Sequence, residues 1–409
     1  MPGVGHIKSL RCRECGKEFQ PFKISVCDEC FGPLDVVYDY DSIVLRKDAF
    51  YNRPRTVWRY LELLPVSDRS KIVDLGAGYT PLRRCERLSD ELGLRKLYVK
   101  DDTVNPTGSF KDRPATVAVS KAIEFGAKAV GCASTGNLAA ATAAHAAKAG
   151  LPCYVFVPAR IELSKIAQAA SYGATVIAVN GTYDDANRLA AQAVEFYDWA
   201  LVNINIRSYY VEGSKTLAFE TCEQLNWNQP DHVIVPVASG ALLCAVCKGF
   251  DELRNVDLVG DLNVRVTGAQ PQGCSPIVTA FKSGDKNVQP VQNPRTIAKS
   301  LAIGDPGDGI YAVERMRESG GVAESASDDE ILDAIKLLAK TEGVFAEPAG
   351  AVTIAVLKKL VEMGKISRDE EVVCFVTGNG LKTTDVIMNF TPRPVEVEAR
   401  LDSLKTLAI

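Results

Sequence analysis

A chain of 409 residues, 46% hydrophobic and 24% charged, is long enough for two globular domains with substantial cores. Its formal charge of −4 provides no basic field for nucleic acid or an anionic membrane, and no apolar run approaches the ~18 residues of a membrane-spanning helix. The start, MPGVGHIKSL, has no apolar signal core, and twelve cysteines are too sparse for a disulfide scaffold, so the expectation is a cytoplasmic protein.

The first elements are two Cys-x-x-Cys knuckles, Cys12/Cys15 and Cys27/Cys30, with Gly16 and Gly32 soon after each pair. Four thiolates at this spacing can meet in a tetrahedron around zinc, in the manner of a zinc ribbon. Free thiols, or knuckles that keep the shape without the metal, are the alternatives. A zinc here would have all four positions filled by protein and would be structural. So small a module has little apolar core, and the metal would supply most of its folding energy.

From about Lys96 short apolar runs alternate with helical stretches. KLYVK, AVGCAS, CYVFVP, ATVIAVNG, HVIVPVAS, VRVTGAQ and VVCFVTGNG read as buried strands, with NLAAATAAHAAKAG, ELSKIAQAASYGA, DDANRLAAQAVEFY and GSKTLAFETCEQL as helices. This rhythm predicts an α/β fold with mostly parallel sheets covered on both faces. The expected division is a zinc-ribbon-like segment at 1–36, a small α/β domain at 105–202, a large one from 37–104 and 203–392, and a tail at 393–409.

Ligands of open parallel sheets bind beyond the carboxyl ends of the strands, where helices begin. In NPTGSFKDRPA, Lys111 stands at the mouth of a helix, where the dipole's positive end disfavours a cation. After AVGCA come Ser134, Thr135, Gly136 and Asn137, a turn rich in amides that suits a carboxylate. After HVIVPV come Ala238, Ser239, Gly240, Ala241 and Leu242, small enough for a phosphate to approach the backbone. After VVCFV comes Thr377, a neutral hydroxyl followed by Gly378, Asn379 and Gly380. Each alone is an ordinary turn, and dinucleotide and P-loop fingerprints are absent. Together they offer the four parts pyridoxal phosphate requires: an amine, a carboxylate cradle, a phosphate cradle and a partner for the ring nitrogen. Cys244 and Cys247 form a third Cys-x-x-Cys that lacks a second pair and reads as buried small residues. His6, His145 and His232 read as uninvolved, and Ser327–Glu330 as a solvated helix cap.

NPTGSFKDR, CASTGNLA, EGSKT, VPVASGALL, KSLAIG, EGVFAEPAGAVT and TGNGLK, with the cysteine-rich start, resemble the threonine synthases, members of the fold type II (tryptophan-synthase-β-like) pyridoxal-phosphate enzymes. The resemblance runs over nearly the whole chain. It implies two open, twisted sheets flanked by helices, a homodimer, and conversion of O-phospho-L-homoserine and water to L-threonine and phosphate. Carried over by position, it implies Lys111 as the cofactor-bearing amine with Phe110 beside the ring, and Asn137 at the ring hydroxyl. It places the Ser134–Asn137 loop at the substrate carboxylate, Ala238–Leu242 at the cofactor phosphate and Thr377 at the ring nitrogen. The phosphate loop departs from the familiar glycine-rich version by carrying alanines, which requires negative φ at those positions. Arg160 with Ser164 and Lys165, and less so Arg113, are the candidates for the substrate phosphate. Rival readings are cysteate synthase or threonine dehydratase on the same fold, and a zinc-ribbon interaction protein without catalysis.

Overall fold

The computed structural model describes residues 6–261, 263–388 and 391–406. Its cysteine-rich start is a three-stranded antiparallel sheet of β1 (Ile7–Cys12), β2 (Glu18–Phe19) and β3 (Leu34–Tyr38), in the order β2-β1-β3. Along β3, Leu34, Val36 and Tyr38 are buried while Asp35 and Val37 are only half so, the period-two pattern of a sheet with one face on a core.

Ten further strands follow: β4 (Leu82–Arg84), β5 (Lys96–Asp101), β6 (Ala129–Ala133), β7 (Cys153–Pro158), β8 (Thr175–Val179), β9 (Trp199–Leu201), β10 (His232–Pro236), β11 (Arg265–Pro271), β12 (Ala323–Ala326) and β13 (Glu371–Val376). They form a six-stranded sheet, β12-β11-β10-β13-β5-β4, and a four-stranded sheet, β8-β7-β6-β9. Every neighbouring pair in both is parallel except β4 with β5. Both β6 and β10 are buried at every position, because helices cover both faces.

Two details depart from the sequence reading. The run ATVIAVNG was expected to be a buried strand, but β8, which lies at one edge of the sheet, has no fully buried residue. The short strands β4, β9 and β12 escaped notice, having only three or four residues each. Elsewhere the expected helices appear as Asn137–Ala149, Leu163–Ser171, Tyr183–Phe196 and Thr216–Gln224. The helix after Lys111 begins at Asp112 and holds Pro114 in its first turn, where a missing N–H has no consequence.

The strand order decides where the site lies. From β10 the chain moves outward through β11 to β12, then returns to place β13 on the other side of β10. Strand order therefore reverses between β10 and β13, and a crevice opens at their carboxyl ends. The loop Ala238–Leu242 follows β10 and Thr377 follows β13. Next to β13 lies β5, whose continuation leads to Lys111.

Candidate active site

Lys111 occupies the N-cap of the helix Asp112–Glu124. The turn before it is folded back by Asp112, whose Oδ2 accepts from Thr107 N at 2.8 Å and Thr107 Oγ1 at 2.9 Å. The lysine is half-buried, and its Nζ donates to the Tyr210 hydroxyl at 3.0 Å and lies 4.5 Å from the centre of the Phe110 ring. Among the described residues no carboxylate pairs with it. A helix-mouth lysine with a phenol and a ring for company, and no counter-ion, is a group kept available for bonding.

Thr377 is tied to the same place through the backbone. Phe110 N donates to Thr377 O at 2.8 Å, and Ser109 bridges to Gly378. The Thr377 hydroxyl is 3% exposed as a residue and makes no hydrogen bond among the described residues, as suits a group awaiting a ring nitrogen.

The loop after β10 turns tightly through a left-handed glycine. Gly240 has φ +96° and caps the helix Ala241–Asn255, and a Cβ there would stand 2.6 Å from Asp308 O. Glycine is thus needed twice over, by conformation and by space. The alanines keep negative φ, meeting the condition their methyl groups impose. Among the described residues the amides of Gly240, Ala241 and Leu242 find no carbonyl partner, and with the helix dipole they could hold an anion. Cys244 and Cys247 are buried on this helix, as expected.

Asn137 begins the helix Asn137–Ala149, with Ser134 and Thr135 half-buried before it and Gly136 exposed. Its side-chain amide donates to both carboxylate oxygens of Glu347, at 3.0 and 3.1 Å. Sequence reasoning missed Glu347, although it quoted the string around it. Its partner lies 210 positions away, and only Gly378 hints at it. A Cβ on Gly378 would collide with Glu347 Oε1, so the glycine leaves room for the carboxylate. Burial pushes the Glu347 carboxyl above its usual range, against the Asn137 hydrogen bond and the charges of Lys382, Lys111 and Lys165. Lys382 was also missed. Its Nζ donates to Thr107 O at 2.8 Å and Gln168 Oε1 at 2.6 Å, and burial lowers its pKa.

The candidates for the substrate phosphate separate. Arg160 and Ser164 are exposed, and Arg160 has no ion pair among the described residues. Lys165 is half-buried and 3.8 Å from Asp385. Arg113 is corrected: it is fully buried, with Nε 2.7 Å from Asp102 and a bond to Glu220, so it belongs to the core. His145 is buried with Nε2 3.3 Å from Asp112, His232 is buried against Thr267, and His6 contacts Ser42. Ser327 and Glu330 close a capping box on the helix that follows.

In the cysteine module, Cys12 Sγ lies 3.4 Å from Cys30 Sγ and Cys15 Sγ 3.7 Å from Cys27 Sγ, and all four sulfurs fall within 4.8 Å of one another. Zinc–sulfur bonds of about 2.3 Å in a tetrahedron set sulfurs roughly 3.8 Å apart, so the cluster fits zinc. A Cβ on Gly32 would stand 2.8 Å from Cys12 Sγ, which explains one of the two glycines.

A family model described as pyridoxal-phosphate dependent enzyme matches residues 73–378. Threonine synthase of Methanocaldococcus jannaschii is 46% identical over 400 residues, 97% of this chain and 98% of that protein. The chain belongs to the threonine synthases. That of Methanosarcina acetivorans is 43% identical over 97% of each chain. Among solved structures, the processed form of threonine deaminase isoform 2 from Solanum lycopersicum superposes with a TM-score of 0.65 at 23% identity, covering 84% of this chain and 97% of that one; at this identity it supports the fold alone. A threonine synthase is a pyridoxal-phosphate dependent lyase, and the loops at the β10–β13 crevice carry donors that fit this cofactor.

Proposed function

We propose that this threonine synthase converts O-phospho-L-homoserine and water to L-threonine and phosphate at the β10–β13 crevice, with Lys111 as its catalytic residue. The observation that carries the reading is Lys111 itself, unpaired with any carboxylate among the described residues, 3.0 Å from the Tyr210 hydroxyl and joined through Phe110 to Thr377. Lys111 would hold the cofactor through its amine, the Gly240–Leu242 amides its phosphate, Thr377 its ring nitrogen and Asn137 its ring hydroxyl. The chemistry bound pyridoxal phosphate supplies is an electron sink that makes protons of an attached amino acid acidic.

The remaining work falls to side chains. Lys111 Nζ, oriented by Tyr210, is the base that takes the proton from substrate Cα and returns protons later. Glu347 fixes the Asn137 amide plane. The Ser134–Asn137 turn, with its helix N-terminus, receives the substrate carboxylate. Arg160, Ser164 and Lys165 face the substrate phosphate, and Arg160 has a guanidinium free for two-point binding. Lys382 and Gln168 join the Gly380–Thr383 turn to the helix Leu163–Ser171, and the charge of Lys165 on that helix acts on Glu347.

Two lobes fit this reading: 105–202 as a small domain, with 37–104 and 203–392 as the large one, and the segments 1–36 and 393–409 beside them. The four-stranded sheet draws only on Ala129–Leu201. We also infer a cytoplasmic homodimer, as the family implies; among the described residues no helix is long and apolar enough to cross a membrane. Sedimentation of the purified protein tests the dimer.

The deciding assay compares phosphate release from O-phospho-L-homoserine with that from O-phospho-L-serine plus sulfite. Threonine formed from the first substrate upholds the reading. Faster turnover of the second would assign the site to cysteate synthesis. Borohydride reduction and peptide mapping should place the cofactor on Lys111 and on no other lysine.

A further inference from the structure

The cysteine module and the loop Ala238–Leu242 are joined by a short chain of contacts that lies outside the residues assigned to the reaction. Arg13 sits between Cys12 and Cys15, and its backbone N donates to Pro33 O at 3.0 Å. Its guanidinium grips Asp35 with two bonds, of 2.6 and 2.7 Å, and reaches Asp308 Oδ1 at 3.1 Å. The Asp308 side chain is 1% exposed, and Arg207 pairs with its other oxygen. The Asp308 backbone lies directly on the phosphate loop. Its N donates to Ser239 O at 2.9 Å, and its O is the atom that leaves no space for a Cβ on Gly240. A second tie runs beside the first, since Glu14 accepts from the Tyr311 hydroxyl and Arg13 lies 5.0 Å above the Tyr311 ring.

We propose that Arg13 is a positioning residue for the cofactor phosphate, transmitting the fold of the cysteine module through Asp308 to the Gly240 amide cradle. This rests on the reading of Ala238–Leu242 as the phosphate loop. Asp308 is a buried carboxylate shared by two cations. Removing one leaves the charge buried with half its partners, and the segment that carries it must relax. Gly240, in a left-handed conformation against Asp308 O, has no slack to absorb that shift. Amides that hold a phosphate are effective only within about half an ångström of their geometry. The ends of this relay are 295 residues apart in sequence, so nothing local maintains it.

The test separates phosphate binding from general stability. The cofactor is removed and rebinding of pyridoxal phosphate and of pyridoxal, which lacks the phosphate, is followed by absorbance. The proteins are the full-length chain, Arg13→Ala, Arg13→Lys and Asp308→Asn, with zinc content measured for each and Gly240→Ala as the control for the loop. Arg13→Ala should weaken pyridoxal phosphate about tenfold and leave pyridoxal unchanged, with zinc retained. Asp308→Asn should do the same, which keeps the test open if Arg13→Ala does not fold. Arg13→Lys, which keeps the charge but loses the fork, should recover part of the loss. Equal weakening of both ligands, or no weakening while Gly240→Ala loses phosphate preference, overturns the relay. If Gly240→Ala itself leaves the preference intact, the phosphate reading of the loop is wrong and the relay falls with it.

Discussion

Around Lys100, Arg113 and Lys215 each cation is paired with at least one buried carboxylate, whereas around Lys111 the hydrogen-bonding partner is a phenol. Lys215 is fully buried, with Nζ 2.5 Å from Glu212 Oε2 and 2.7 Å from Glu252 Oε2. Lys100 Nζ lies 2.7 Å from Glu220 Oε2, and Arg113 joins Glu220 to Asp102. In these clusters, charge removed from water is returned to opposite charge, so the nitrogens are occupied and inert. At the carboxyl edge of the six-stranded sheet the pairing stops. Among the described residues Lys111 has no paired carboxylate, the Thr377 hydroxyl no hydrogen-bond partner and the Gly240–Leu242 amides no carbonyls. The comparison teaches that burial alone does not single out a candidate lysine; a helix-mouth amine without a paired carboxylate does.

The sharpest way to break this contrast is Lys111→Ala. Turnover should fall by about 10⁴-fold, and borohydride should fix no cofactor to the protein, while urea unfolding stays near that of the parent. Full activity in this variant would end the account.

Glu220→Gln tests the paired region. It leaves Arg113 and Lys100 buried beside an uncharged group, and stability should drop by about 3–5 kcal/mol in urea unfolding. Burial pushes Glu220 up, but the charges of Arg113 and Lys100 outweigh it and hold the carboxyl at about 2, below the ordinary 4.5. A depressed acid binds its proton more readily when unfolded. Its contribution is therefore complete above pH 4.5 and is lost as pH falls towards 2, and the variant should lose less stability than the parent over that interval. Parallel pH profiles would remove Glu220 from the explanation.

Glu347 lies between the two regions, buried yet facing the site. Glu347→Gln should reduce kcat/KM by the equivalent of about 1.5–3 kcal/mol, the scale of a hydrogen bond to a charged group, with the melting temperature little changed. Unchanged kinetics would make the Asn137 contact incidental.

The smallest effect is expected at the exposed rim. Arg160→Ala should raise KM for O-phospho-L-homoserine by about tenfold and leave kcat nearly unaltered, as loss of uniform binding requires. A fall in kcat at unchanged KM would move Arg160 from binding to chemistry.

What the sequence by itself determined was the set of parts. Lys111 at a helix mouth, the Ser134–Asn137 turn, the Ala238–Leu242 loop, Thr377 and the four cysteines were legible because each depends on a few adjacent residues and the backbone they permit. The parallel α/β fold was legible from continuous apolar strands, while the edge position of β8 and the short strands β4, β9 and β12 were not, since edge and centre differ only by neighbours. Tertiary structure alone decided which charges are free. Arg113 and Arg160 look alike in sequence, yet one is enclosed by Asp102 and Glu220 and the other reaches solvent. It also decided that Glu347 holds Asn137 across 210 positions and that Arg13 reaches Asp308 across 295. The physical reason is that turn and helix-cap chemistry is local, whereas desolvation and ion pairing depend on which distant segment the fold brings within a few ångströms.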